Sequence, residues 1–189
     1  MSFTICIYCG SRTGNDPSYV NAARVLGSVL ADHGWRLVYG GGSIGLMGAL
    51  ADSALAHNGE VIGIIPQALL DREVGLVECS ELIVTQTLRQ RKALMEQYAD
   101  VFMALPGGFG TLEELIETLT LRQLGYHNKP IILVNLNSYY DPLLALFDHA
   151  VAHGYVPVEH TRLYHVVTNI EEAVALLETI HDQQSVPSV

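Results

Sequence analysis

The apolar residues of this chain fall in short unbroken blocks, and between the blocks they recur at helical spacing. Thr4–Cys9, Arg36–Tyr39, Val61–Ile65, Leu82–Thr85, Val101–Leu105 and Ile131–Asn135 read as strands, with Val166-Val167 as a short last one. Asp16-Pro17 supplies an N-cap followed by a proline at the first helical position, which predicts a helix to about His33, before Gly34. Gly40-Gly-Gly-Ser-Ile-Gly45 opens a second helix that ends at Asn58-Gly59. Further helices are predicted over Leu88–Tyr98, Thr111–Leu124 and Asp141 to about His153. Asn169-x-x-Glu172 caps a final helix that fades near His181. Residues 66–80 look irregular, and residues 182–189 look frayed.

Strands made of continuous apolar residues are buried on both faces, and their alternation with helices indicates crossover connections. The pattern predicts an α/β fold: a Rossmann-like, doubly wound, mainly parallel sheet with helices on both faces. One nucleotide-binding domain is expected over residues 1–181, followed by a flexible tail, 182–189. No repeat or linker interrupts it.

Composition narrows the function classes. At 189 residues, 49% hydrophobic and 16% charged, the chain suits a single sizeable core. A net charge of −10 disfavours nucleic acid as a partner. The apolar blocks are far shorter than the roughly eighteen residues of a membrane span, so no membrane association is expected. The first residues lack a basic leader segment, which points to the cytoplasm. Cys6 and Cys9 form a C-x-x-C, but inside and at the end of a strand rather than on a turn, so they and the lone Cys79 read as structural thiols.

The candidate chemistry lies in three glycine-rich turns, each after a strand: Cys9-Gly10-Ser11, Gly40 to Gly45, and Pro106-Gly-Gly-Phe-Gly-Thr-Leu-Glu-Glu114. In a parallel sheet these turns share one edge, where ligands bind in this architecture. Glycines let backbone N–H groups approach an anion, and a helix N-terminus adds partial positive charge. Gly40, Gly42 and Gly45 also match the dinucleotide fingerprint G-x-G-x-x-G. That match follows the second strand, and the next strand ends Ile64-Ile65-Pro66-Gln67 without the acid a ribose requires; Glu60 lies at its wrong end. Glu113 and Glu114 in the first turn of the helix that follows Gly110 either complement its dipole or act on a ligand beside the cradle. Arg89, Arg91 and Lys92 cluster in an acidic chain that has ten basic residues in all, which suggests an anion site, though a solvated helix face is the alternative. Arg91 shares a stripe with Leu88, Met95 and Tyr98, so it should be partly buried and paired with a carboxylate or phosphate, Glu114 and a bound phosphate being the natural candidates. His149 and His153 have metal-pair spacing, but no third ligand is obvious; ordinary helix histidines are the better reading, and no metal is expected.

Taken together, Cys9-Gly-Ser11, Gly40-Gly-Gly-Ser-Ile-Gly-Leu-Met-Gly48, Arg91-Lys92, Pro106 to Glu114, Gln123-Leu-Gly-Tyr-His-Asn-Lys-Pro130 and Tyr139-Tyr-Asp-Pro-Leu143 resemble the Lonely Guy family over about residues 3–180. These are the cytokinin riboside 5′-monophosphate phosphoribohydrolases, whose members have often been labelled lysine decarboxylase-like. The resemblance implies that Arg91 and Glu114 are catalytic. It implies substrate contacts from Gly10 and Ser11, from Gly41, Gly42, Ser43 and Met47, from Gly107, Gly108, Phe109, Gly110 and Thr111, and from Glu73, Lys92 and Thr120. One departure is visible: Leu88-Arg89 stands where the family often has Met-His, which adds positive charge to the ligand mouth.

The implied reaction is hydrolysis of the N-glycosidic bond of an adenosine 5′-monophosphate, N6-prenylated or plain, to free base and ribose 5-phosphate, with no cofactor. A carboxylate suits the positive charge that builds on the sugar. Arg91 is expected to anchor the substrate and to hold Glu114 ionised. The base pocket should draw on residues 66–80 and on a neighbouring subunit. A homodimer is expected by resemblance and from the apolar stripes around Met95 and Leu115-Ile116. A non-catalytic carrier of a nucleotide or of the molybdenum cofactor on the same fold is the other class of function these features allow.

Overall fold

A computed structural model describes residues 2–71 and 79–185. Seven strands form one parallel sheet in the order β4-β3-β2-β1-β5-β6-β7. They are β1 (Thr4–Tyr8), β2 (Arg36–Tyr39), β3 (Val61–Pro66), β4 (Glu81–Thr85), β5 (Val101–Ala104), β6 (Ile131–Val134) and β7 (His165–Val167). The helices are α1 (Pro17–Asp32), α2 (Gly45–Ala56), α3 (Gln67–Leu70), α4 (Leu88–Tyr98), α5 (Phe109–Gln123), α6 (Asp141–Ala152) and α7 (Ile170–Ser185). The doubly wound parallel sheet expected from the apolar blocks is the fold observed. No helix among the described residues is long and apolar enough to cross a membrane.

β1, β5 and β6 are buried at every position in the sheet centre, which is why their sequences carry no polar alternation. Two cores result. One packs Leu26, Leu30, Leu50 and Leu177 of α1, α2 and α7 on Ile5, Leu37 and Met103. The other packs Met95, Leu115 and Tyr140 on Cys6, Val38 and Phe102. Cys6 and Cys9 belong to opposite cores and both are free, as is Cys79. Burial pushes both thiols well above their ordinary range, so they remain protonated packing groups.

The chain winds outward from β1 to β4, then returns to the other side of β1 as β5. The reversal point therefore lies between β1 and β5, and the turns that follow these strands open on the same edge.

Several boundaries move. Pro66 ends β3 by pairing with Thr85, and a short helix, α3, occupies part of the stretch expected to be irregular. α5 begins at Phe109 rather than Thr111, so Glu113 and Glu114 are not in its first turn and the dipole-complementing reading of the pair fails. α7 continues past His181 to Ser185. Met95 and Leu115 are fully buried in their own chain, so neither belongs to a stripe left over for a partner; Ile116 is 39% exposed.

Candidate active site

The backbone ties the three glycine-rich turns together. Gly10 N–H donates to the Pro106 carbonyl at 3.1 Å, and the Gly10 carbonyl accepts from Leu46 N–H at 2.9 Å and Met47 N–H at 3.3 Å. The turn after β1 is thus clamped between the turn after β5 and the start of α2. Gly107 is required by the close approach: a Cβ there would lie 2.1 Å from Thr111 Oγ1. Gly108 is the N-cap of α5 and has no side chain to satisfy the first N–H groups of the helix. The space around Gly108 and Gly110 is open. An uncapped helix start, reached by open glycine backbone, is a ready anion cradle.

Beside it lies a buried ion pair. Arg91 on α4 donates from Nη2 to Glu114 Oε1 on α5 at 2.6 Å, with the two side chains only 12% and 7% exposed. The guanidinium lies against Gly40, where a Cβ would stand 2.3 Å from Nη2. Arg91 Nε is buried and has no hydrogen-bond partner among the described residues. The pairing expected from the α4 stripe is therefore present, although Leu88 of that stripe is 54% exposed.

Arg91 lowers the Glu114 pKa as expected, but it does not set the net direction. Burial, the largest influence, raises the carboxyl; Arg91 opposes this, and Glu113 adds to the rise, so the net direction is upward. Desolvation disfavours the charged form more than one cation favours it.

Lys92, one position on, turns to the other acids. Its ammonium contacts Glu113 Oε1 and lies 2.5 Å from Glu117 Oε2. Burial lowers the Lys92 pKa, but the two carboxylates together outweigh it and raise the value. Glu113 is thus a partner of Lys92. A cleft of about 200 Å³ brings Tyr8, Arg89, Lys92, Glu96, Glu114 and Thr118 to its wall. Arg89 lines this cleft, whose wall holds none of the glycines of the three turns.

The remaining expected site residues divide. Gly10, Gly41, Gly42 and Thr111 are buried around the clamped turns, while Ser43 and Met47 are half-buried at the start of α2. Ser11 is exposed beside them, and Phe109 presents its backbone at the helix start with its side chain 93% exposed. Thr120 is not brought to the Arg91–Glu114 pair. It lines a separate apolar groove of about 180 Å³ with Ile116, Phe147, Val151 and Tyr164, and its hydroxyl donates to the Ile116 carbonyl at 2.7 Å. Glu73 lies outside the described residues. The His149 and His153 rings lie 4.2 Å apart between centroids, tilted by 51°. Glu60, considered as a ribose acid, pairs with Arg36 at 2.8 Å instead.

Residues not singled out from the sequence complete the support. Thr118 donates to the Glu114 carbonyl at 2.8 Å and so accepts from the Tyr8 hydroxyl at 2.9 Å. Tyr140 donates to the Leu105 carbonyl at 2.6 Å and Tyr139 to the Gly107 carbonyl at 2.5 Å. The one sequence signal for the tyrosines was the family-like Tyr139-Tyr-Asp-Pro-Leu143.

The fold and the site together define a doubly wound α/β protein with a phosphate-type cradle at its switch point and a buried arginine–glutamate pair at the rim. The match to the family described as "Possible lysine decarboxylase" spans residues 47–177. The cytokinin riboside 5′-monophosphate phosphoribohydrolase LOG of Oryza sativa subsp. japonica is 45% identical over 174 residues, 92% of this chain and 72% of that protein. LOG7 of Arabidopsis thaliana, which carries the same description, is 46% identical over 175 residues, 92% of this chain and 80% of its own length. The chain belongs to this family. Among solved structures, the molybdenum cofactor binding protein from Rippkaea orientalis superposes with a TM-score of 0.72 at 26% identity, covering 95% of this chain and 98% of its own. The Moco carrier protein from Chlamydomonas reinhardtii shares the fold, with a TM-score of 0.73 at 22% identity and coverage of 97% and 99%.

Proposed function

We infer that this chain is a nucleoside 5′-monophosphate phosphoribohydrolase of the cytokinin-activating type. The observation that carries the reading is the 2.6 Å Arg91–Glu114 pair set beside the open glycine cradle. Similarity of 45–46% to phosphoribohydrolases over 92% of the chain supports it.

The 5′-phosphate sits on the backbone of Gly107 to Thr111, at the positive end of α5. Its binding energy fixes the ribose against the ion pair. The bond between the ribose anomeric carbon and the base nitrogen then breaks, and its electron pair leaves with the base, which takes up a proton. Positive charge develops on the sugar, and the Glu114 carboxylate stabilises it. Water attacks the same carbon and loses its proton to Glu114, which returns it to solvent as solvent supplies the one the base takes up; ribose 5-phosphate is released. Arg91 holds the Glu114 carboxylate in place and offers its free Nε–H to the substrate. No step calls for a cofactor.

Incubation with AMP and with isopentenyladenosine monophosphate, followed by quantification of free base and ribose 5-phosphate, tests this reading and reports the base preference. Release of neither product rejects it. A carrier of the molybdenum cofactor is the second reading, favoured by the 26%-identical structural neighbour. A carrier has no use for a desolvated carboxylate whose charged form is disfavoured by its own fold; retention of the bound molecule unchanged, with no base released, would decide for it.

Two attributes complete the proposal. The protein is a homodimer, supported by the apolar groove at Ile116 and by Leu146 and Val158 near it, which are 60% and 68% exposed; sedimentation at micromolar concentration tests this. It resides in the cytoplasm, in keeping with its three free thiols; localisation of a tagged chain tests that.

A further inference from the structure

The phosphate cradle is aimed by a tyrosine that itself lies on a strained turn. Four consecutive carbonyls enter the cradle, and each is held. Leu105 accepts from the Tyr140 hydroxyl at 2.6 Å, Pro106 from Gly10 N–H at 3.1 Å, Gly107 from the Tyr139 hydroxyl at 2.5 Å, and Gly108 from Leu112 N–H at 3.0 Å. Of these, the Tyr139 bond bears on the ligand side directly. A trans peptide unit is planar, and its C=O and N–H point in opposite directions. The Gly107 carbonyl and the Gly108 N–H belong to one such unit. Holding the carbonyl toward Tyr139 therefore turns the Gly108 N–H away from Tyr139, toward the open side of the turn. Glycine at 107 and 108 makes this plane free to rotate if nothing holds it.

The second observation concerns how Tyr139 is presented. Asn137 and Ser138, the two residues before it, have φ of 50° and 58°, the left-handed region that residues with a Cβ rarely adopt. Such strain persists only where the surroundings enforce it. The enforcing contacts are here: Asn137 Nδ2 donates to Asp16 Oδ2 at 3.0 Å and to Ser18 Oγ at 2.8 Å, pinning the turn to the start of α1. The Tyr139 ring is flanked edge-on by Tyr19 at 6.0 Å and Tyr140 at 5.1 Å between centroids. At 38% exposed, Tyr139 is not needed to fill either core.

We propose that Tyr139 is a positioning residue for the substrate phosphate: its hydroxyl fixes the Gly107–Gly108 peptide plane so that the Gly108 N–H faces the anion. The proposal rests on the phosphate-cradle part of the function proposed above, and not on the catalytic roles of Arg91 and Glu114.

The test compares ribose 5-phosphate and adenosine, one ligand with the phosphate and one without. In titration calorimetry, Tyr139→Phe weakens ribose 5-phosphate roughly five- to tenfold, the scale of one neutral hydrogen bond. Adenosine binding stays unchanged, and the KM for AMP rises while kcat moves much less. Equal weakening of both ligands overturns the proposal, because general loosening of the fold affects both. Unaltered ribose 5-phosphate affinity also overturns it, as does failure of the unaltered chain to bind ribose 5-phosphate at all. Turnover of AMP by the unaltered chain is scored separately, so a chain that binds ribose 5-phosphate through Tyr139 but releases no base refutes the hydrolase reading alone. Asn137→Ala, which removes the two anchors of the turn without touching the hydroxyl, reproduces the selective loss.

Discussion

Arg91 and Glu114 meet at 2.6 Å across two helices, with their charged ends almost wholly removed from solvent. A carboxylate in that setting keeps its shape but not its charge when changed to the amide. Glu114→Gln is therefore expected to bind AMP within a few-fold of the unaltered chain and to lose turnover by roughly a hundred- to ten-thousandfold. Paired calorimetric and product-release measurements check this, and near-full hydrolysis by the variant would remove Glu114 from the mechanism.

The guanidinium is placed by an absence of side chain beneath it. A Cβ on Gly40 would stand 2.3 Å from Arg91 Nη2 and 3.1 Å from Met47 Sδ. Gly40→Ala should push the guanidinium off the Glu114 carboxylate and lower kcat/KM for AMP at least tenfold, about 1.4 kcal/mol of transition-state stabilisation. Arg91→Ala should cost more, in affinity and rate together. Arg91→Lys should not restore activity, since an ammonium lacks the planar donor set that serves Glu114 and leaves Nε–H free. Steady-state kinetics of the three variants gives the order.

The upward shift of Glu114 has a definite sign in pH. A raised carboxyl binds its proton more readily in the folded chain than in the unfolded one, so its contribution to stability is complete at low pH. That contribution is lost as pH rises from the ordinary carboxylate range through the raised value. Activity, which needs the carboxylate, rises across the same window. Glu113 is one of the groups that raise Glu114, and Lys92, which Glu113 contacts, lowers it. Glu113→Gln should therefore move the acid limb of the rate profile to lower pH. The AMP phosphate titrates too, but identically for both proteins, so the difference between profiles isolates the enzyme. An unmoved or upward-moved limb refutes the coupling.

Much of this arrangement was legible in the sequence, for physical reasons that can be named. Val101–Leu105 and Ile131–Asn135 are apolar without alternation because the strands they hold are covered on both sides, and the glycine-rich turns stand where a parallel sheet puts its ligand edge. Arg91 was expected to find Glu114 or a bound phosphate because a guanidinium on a core-facing stripe cannot stay unpaired. The start of α5 was misplaced because its N-cap is Gly108, which has no side chain to mark it. The direction of the Glu114 shift was missed because burial is a property of the assembled core, whereas a neighbouring cation can be guessed from spacing. Tyr139 was invisible as a support because its hydroxyl reaches a carbonyl 32 positions away, from a left-handed turn that no glycine announces. Met95 and Leu115 suggested a partner surface only until the sheet covered them.

The hydroxyl relay behind Glu114 gives a prediction whose two halves differ in size. Thr118 donates to the Glu114 carbonyl, so its oxygen accepts from Tyr8, and all of these atoms are buried. Tyr8→Phe removes a donor and leaves Thr118 with its own donation intact, a loss of about 1 kcal/mol. Thr118→Val removes the oxygen acceptor and leaves the Tyr8 hydroxyl only the weak sulfur of Cys6, in a core where burial already holds its proton firmly. An unsatisfied buried group costs about 1–3 kcal/mol, and valine adds nothing polar to offset it. Thermal melts should therefore fall by roughly 2–4 °C for each kcal/mol at this chain length, with Thr118→Val below Tyr8→Phe. The double variant, in which donor and acceptor are both gone, should melt above the sum of the two losses, because the stranded hydroxyl no longer exists. Strict additivity in the melts would mean that the two hydroxyls do not share a bond.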